Sequence, residues 1–406
     1  MRTKHTPAVR GHITADAARR IAIRAQGLAQ TADRPKTPAD VLRRVAAVQL
    51  DTISILARSH ELVTYARAGA VGRPAVEDAY WGRGQAFEYH AHANCILPIE
   101  SWPYFAFRRR SFRAHRWAHP PANAYREVQA RLREGPVTVT DLGGGRNGTA
   151  GWWNWSEAKM AVEAMYYRGE AICTSRRNWK RVYDLPERVL PPELLAHEPD
   201  DAECYRYLVA ATAAARGVAT RRDLAAYFLL LLTRLAPSLE RNRLLDDAIA
   251  DSGLVPVEVE GWPAPAYADP AALGSRGPLR HRPVLLSPFD SLVWANPPAA
   301  GLSSREYTER LLGYTYTLEV YLPKHKREHG YYTMPLLARG RIAGHVDPAR
   351  EGRTLVARNV ALDDETYVDD LAAALKEAAS WVGCTDIRID SVRPKSLAPA
   401  LTRALG

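Results

Sequence analysis

One pattern occurs twice in the middle of the chain and narrows the available folds more than any other feature. In its first copy, Ala124 to Glu134 spaces its apolar residues as an amphipathic helix, and Gly135-Pro136 stops it. Val137 to Thr140 forms a short pairing segment, and Asp141-Leu142 begins a second helix. Ser156 caps a third helix, Glu157 to Tyr167, and Glu170 to Asp184 then reads as a hairpin with a basic tip. The second copy runs from Glu203 to Ala268, with helices over Cys204 to Arg216 and Arg241 to Asp251 and a strand over Gly253 to Trp262. Both copies enter the second helix through Thr-x-x-Asp-Leu: Thr138 with Asp141-Leu142, and Thr220 with Asp223-Leu224. Helix, helix, helix and hairpin is the order of a winged helix, a helix-turn-helix variant. The second wing is acidic, which fits a scaffold without a nucleic-acid contact.

A chain of 406 residues exceeds one ordinary core. The expected fold is α+β: tandem winged-helix units with a C-terminal antiparallel-sheet module. The blocks are 1–120 (a diverged unit), 121–200 and 201–280 (winged-helix units), and 281–406 (an α+β module). In the last block, Tyr314 to Leu322 and Tyr331 to Leu337 alternate like strands around a basic hairpin tip, and Asp364 to Val382 reads as a helix. The opening residues carry no apolar signal-peptide core, and Leu224 to Leu232 is about half the length a membrane span needs. Cytoplasmic location and no membrane partner are therefore expected. Cys95, Cys173, Cys204 and Cys384 form no CxxC pair, and the histidines lack metal-ligand spacing, so neither metal nor cofactor is expected. The Gly143 to Gly148 turn lacks the Gly-Lys-Ser/Thr of a phosphate loop. Trp152, Trp153 and Trp155 read as packing at the entrance to the third helix.

The formal charge is +10, and its arginines cluster at Arg108-Arg109-Arg110 with Arg113 and Arg116, at Arg176-Arg177 with Lys180-Arg181, and at Lys324 with Lys326-Arg327. Such clusters favour a polyanion, and nucleic acid is the leading partner.

The segment Gln49-Leu50-Asp51, followed by Ala57-Arg58-Ser59-His60, resembles the signature of the YcaQ/AlkZ-type winged-helix DNA glycosylases. So do Arg282-Pro-Val-Leu-Leu-Ser-Pro-Phe-Asp-Ser-Leu-Val-Trp294 and Arg310-Leu-Leu-Gly-Tyr with Leu318-Glu-Val-Tyr-Leu-Pro, Lys326-Arg327 and Gly330-Tyr-Tyr-Thr-Met-Pro-Leu-Leu. The resemblance covers nearly the whole chain in matching order. It implies tandem winged helices around DNA and monofunctional removal of N7-alkylguanine, in some members from interstrand crosslinks. Gln49 and Asp51 place the chain in the Gln-x-Asp branch.

The chemistry of the trio is coherent on its own terms. N7 alkylation gives guanine a fixed positive charge, so no acid need protonate the leaving base. What remains is to stabilise an oxocarbenium-like sugar and deliver water to C1′. Residues at i and i+2 share one side of an extended segment but not one face of a helix. Asp51 is thus the expected base and oxocarbenium stabiliser, with Gln49 orienting the water. Arg58, Ser59 and His60 read either as phosphate contacts or as a surface arginine beside a satisfied core histidine. Lys324, Lys326 and Arg327, with Tyr331 and Tyr332 behind them, read as a DNA-probing tip. The expected partner is double-stranded DNA bearing an alkylated guanine, met by a monomer. A winged-helix transcription regulator and an architectural DNA-binding protein are the rival classes.

Overall fold

A computed structural model describes residues 11–82, 84–114, 120–143, 156–232, 237–274, 278–294 and 305–406. Trp152, Trp153, Trp155, Arg116 and most of the 143–148 turn lie outside them. The fold mixes helix and sheet in two compact units. The first takes the chain up to Val76, Ala211–Ala226 and Gly253 to the C-terminus; the second takes Glu77–Ala210 and Tyr227–Ser252. The four consecutive blocks expected from the sequence are therefore regrouped, and the second repeat is divided between the units. Among the described residues no helix is long and apolar enough to cross a membrane.

The repeat is present as an element order. The first copy contains Ala122–Glu134, the strand Val137–Thr138, the helix Glu157–Arg168, and the strands Ile172–Arg177 and Lys180–Asp184. The second contains Asp201–Arg216, the strand Val218–Thr220, the helices Arg221–Tyr227 and Ser238–Asp251, and the strands Val255–Val259 and Ala266–Ala268. Thr-x-x-Asp makes the same local lock in each. The Thr138 N–H and hydroxyl donate to Asp141 Oδ2 at 2.8 and 2.9 Å, and the Asp141 N–H returns to Thr138 Oγ1 at 3.3 Å. The Thr220 N–H and hydroxyl reach Asp223 Oδ2 at 2.8 and 2.7 Å, with the same 3.3 Å return. The second lock satisfies donors at the N-terminus of Arg221–Tyr227, whereas the first closes a turn over residues 139–143, where the sequence predicts a helix beginning at Asp141.

Two sheets organise the first unit. One runs Gly11–Ile13, Val255–Val259, Ala266–Ala268, Val218–Thr220. The other runs Val284–Leu285, Met334–Ala338, Arg341–Glu351, Thr354–Leu362, Asp386–Ile389, with Val392–Arg393 also on Thr354–Leu362. This second sheet is mixed rather than antiparallel. The Val368–Trp381 helix carries the chain across, so Asp386–Ile389 joins in parallel. A second correction concerns Tyr314 to Leu322, which is irregular. The basic tip is a single 3-10 turn, Lys324–Lys326, rather than the end of a hairpin.

Four arginines of the second unit's clusters, Arg108, Arg109, Arg176 and Arg181, are drawn inward, which the charge argument did not anticipate. Arg108 and Arg109 are buried at 7% and 4% exposure, and their guanidiniums donate to backbone carbonyls: Arg108 to Ala91 at 2.6 Å, Arg109 to Trp102 at 2.8 Å. Arg176 and Arg181 both close on the fully buried Glu88 carboxylate. Burial alone would raise the Glu88 pKa, but the two guanidiniums bring it below the usual carboxylate range. These four arginines serve packing, while Arg113, Arg177 and Lys180 stay exposed.

The densest polar contact of the first unit joins Arg67 and Asp290, both wholly buried. The guanidinium Nη1 and Nη2 donate to the two carboxylate oxygens at 2.6 and 2.9 Å. Its remaining N–H groups go to the Gln26 carbonyl (2.6 Å), Gln26 Oε1 (2.7 Å) and the Val63 carbonyl (3.2 Å). Gln26 donates onward to the Ala215 carbonyl at 2.7 Å. The Arg67 side chain therefore ties together three chain segments distant in sequence, and Gln26 adds a fourth. Removing one partner strands the other charge in a dry interior, a cost of about 3–5 kcal/mol. Asp290→Ala is expected to lose about that much stability in urea unfolding, and a loss below about 1 kcal/mol would show that the pair does not hold these segments.

Candidate functional site

The Gln49–Asp51 segment owes its shape to the helix before it. Thr37 and Asp40 form a reciprocal cap, with Asp40 N–H to Thr37 Oγ1 at 3.2 Å and Thr37 N–H to Asp40 Oδ2 at 3.0 Å. Pro38 then starts the Pro38–Val45 helix. Ala46 adopts a left-handed conformation, φ 58°, and turns the chain into an extended stretch. Along that stretch Val48 and Leu50 are buried at 1% and 7% exposure, while Gln49 and Asp51 are half-buried. The alternation expected of an extended segment is what the structure shows: two apolar anchors inward, the amide and the carboxylate on the other side.

Ser59 fixes the backbone of the pair. Its hydroxyl donates to the Gln49 carbonyl at 2.6 Å and accepts the Asp51 N–H at 3.1 Å. The side chain is fully buried, which removes it from the expected phosphate contacts and makes it a clamp on the two candidate residues. His60 is fully buried as well, inside the Ser59–Ala68 helix, and so offers no surface to DNA. Tyr332 is a further correction. It too is fully buried, with its backbone N–H held by Asp347 Oδ1 at 2.9 Å. In each case an apolar or hydrogen-bonded surrounding has claimed a side chain that reads in sequence as polar and available.

The Asp51 carboxylate is constrained by its own turn, Oδ1 accepting the Ile53 N–H at 2.8 Å. Burial pushes its pKa above the usual carboxylate value, while the Ile53 and Thr52 N–H groups and the nearby Arg58 guanidinium pull the other way. Arg58 is partly exposed and donates to the Thr52 carbonyl at 3.1 Å.

A distant stretch of chain supplies the rest of the neighbourhood. Ile53 and Ile55 pack on the same apolar cluster as Leu318 and Tyr331, which also contains Phe289 and Tyr332. Tyr321, which sequence reasoning did not single out, is 80% exposed. Its hydroxyl pKa is raised, first by partial burial and then by the Asp51 charge. Read as part of an alternating strand, Tyr321 gave no signal; the Pro323 that follows it, opening a basic turn, is the cue that the strand had ended. The turn itself is held from behind by Glu319, whose carboxylate accepts the N–H groups of Glu328 (3.2 Å), His329 (2.9 Å) and Gly330 (3.1 Å). Burial would raise the Glu319 pKa, but these three bonds bring it below its usual value. Gly330, at φ +136°, must be glycine, since a Cβ there would sit 2.3 Å from Asp347 Cγ. Lys324 and Lys326 are exposed, and Arg327 is partly so, with its Nε bonded to the Leu322 carbonyl at 2.8 Å. The structure thus brings Asp51 and Arg58 into one electrostatic neighbourhood with Tyr321. Among the described residues no group of three His, Cys, Asp or Glu side chains could hold a metal.

The family model described as "DNA glycosylase AlkZ-like" matches residues 42–381. A solved structure, the Streptomyces sahachiroi DNA glycosylase AlkZ, aligns with TM-score 0.60 at 18% identity, covering 93% of this chain and 100% of that one. At that identity the likeness shows the fold.

The geometry predicts that the Asp51 carboxyl titrates above the ordinary value of about 3.9. Carbon-13 NMR of labelled aspartate, assigned by comparison with Asp51→Asn, measures it; a midpoint at or below that value would contradict the desolvated site.

Proposed function

The chain belongs to the AlkZ-like DNA glycosylase family, and from that premise we propose that it hydrolyses the N-glycosidic bond of N7-alkylguanine, a cationic alkylpurine, in duplex DNA. Bulky adducts and interstrand crosslinks fall within the same chemistry. The observation that carries the reading is the Gln49–Asp51 pair, half-exposed on one side of an extended segment and clamped from behind by Ser59.

The reaction needs few groups. As the C1′–N9 bond breaks, its electron pair moves onto the base and cancels the charge that alkylation placed there. The deoxyribose is left as an oxocarbenium-like cation, which the Asp51 carboxylate stabilises. With Oδ1 held by the Ile53 N–H, Oδ2 takes the proton of the incoming water as its oxygen bonds to C1′. The Gln49 amide orients that water. Burial raises the Asp51 pKa, which makes it a better proton acceptor for the incoming water. The products are the free alkylated base and an abasic site, with no Schiff base and no strand cleavage by the enzyme.

The repeated helix, strand, helix and hairpin order fits tandem winged helices that hold the duplex, with the protein acting as a monomer. Lys324, Lys326 and Arg327 supply phosphate contacts from the turn, and Arg58 a further one beside the lesion.

Asp51→Asn keeps the shape of the side chain and removes the base. Single-turnover release of N7-methylguanine from duplex DNA is expected to fall by at least about 10²-fold, a general-base loss, while affinity for the same DNA stays within about threefold. Wild-type excision rates in a folded Asp51→Asn protein would refute the assignment.

A further inference from the structure

We propose that Tyr321 recognises the damaged base, its ring lying face to face with the cationic purine while Asp51 works at the deoxyribose. This rests on the glycosidic reading above and adds to it the group that distinguishes a charged base from a neutral one.

Tyr321 is among the few large apolar side chains left in solvent, at 80% exposure, and among the described residues its ring has no aromatic partner and no cation over it. The exposure is built rather than accidental. On either side of Tyr321 the backbone is held: the Leu322 N–H donates to the Glu319 carbonyl at 2.9 Å, and Arg327 Nε donates to the Leu322 carbonyl at 2.8 Å. Glu319 meanwhile fixes the returning strand of the loop through three N–H groups. A pinned loop that holds an aromatic ring out in water, on the same apolar base as the residues following Asp51, is arranged for a ligand.

The neighbouring tyrosines are excluded by their own contacts. Tyr332 is fully buried. Tyr331 already carries a cation, because the Arg327 guanidinium lies 4.8 Å from its ring centroid. Of the three, Tyr321 alone offers an unoccupied face. The face of an aromatic ring bears the negative part of its quadrupole, so it attracts a cation and gains more from a charged base than from a neutral one of equal area. N7-alkylguanine is a planar cation and can use both stacking and charge. Undamaged guanine can use only stacking.

The test compares equilibrium binding to two duplexes, one with 2′-fluoro-N7-methylguanosine, whose fluorine slows loss of the base, and one with ordinary guanosine at that position. Wild type is expected to prefer the cationic duplex, Tyr321→Ala to lose about tenfold of that preference, and Tyr321→Phe to keep it. The melting temperature should be unchanged in both variants, since the side chain is exposed. A preference that survives in Tyr321→Ala, or is absent in wild type, would overturn the proposal. So would its loss in Tyr321→Phe, which would assign the effect to the hydroxyl. Wild-type excision of N7-methylguanine, measured in parallel, reports separately on the glycosylase reading, because Tyr321 can fail as a sensor while excision proceeds.

Discussion

The buried pairing of Arg67 with Asp290 is the constraint on which the first unit depends. A guanidinium has five N–H donors, and here all five are engaged, two by Asp290, two by Gln26 and one by Val63. Only such complete satisfaction lets a charge of this kind sit in a dry interior. The consequence reaches the candidate site through one helix. Arg67 lies near the end of Ser59–Ala68, and Ser59 lies in its first turn, about 12 Å away along the axis. With one end locked to Asp290, the other presents a hydroxyl at a fixed place, and that hydroxyl holds Gln49 and Asp51.

This arrangement puts precision where the proposed chemistry needs it. A carboxylate on a free loop would sample many orientations, whereas Asp51 is bounded by a buried Leu50, a clamped N–H and a turn bond to Ile53. Its surroundings set two influences against each other, since burial makes the group more basic while two N–H groups and Arg58 oppose that shift. The leaving base carries its own charge in the proposed reaction, so the protein need not provide an acid. One carboxylate and one amide suffice, and both lie within three residues of each other.

Much of this was legible in the sequence where the signal is local. Thr-x-x-Asp marked the same local lock in both copies because it spans three residues, although it starts a helix only at Arg221–Tyr227, and the extended geometry of Gln49–Asp51 followed from Val48 and Leu50 alternating with them. The failures share a cause, a partner far away in the chain. Arg176 and Arg181 looked like a basic wing because Glu88, about ninety residues earlier, is what draws them inward. Ser59 looked like a phosphate ligand because its actual partners form only when the helix docks. Tyr314 to Leu322 alternated like a strand, yet one buried carboxylate, Glu319, organises the region as an irregular loop and leaves Tyr321 outside. No local pattern encodes such choices, because the satisfaction of buried polar groups is settled by the whole fold.

The central claim is that the fixed charge on the damaged base replaces an acid catalyst. It is tested most directly by single-turnover excision from two duplexes of identical sequence, one carrying N7-methylguanine and the other O6-methylguanine, a neutral base bearing the same added methyl. Release of the first with no detectable release of the second is the expected result. Comparable rates on both would mean that the protein protonates its leaving group, and a site built on one carboxylate and one amide could not then be the whole of the machinery.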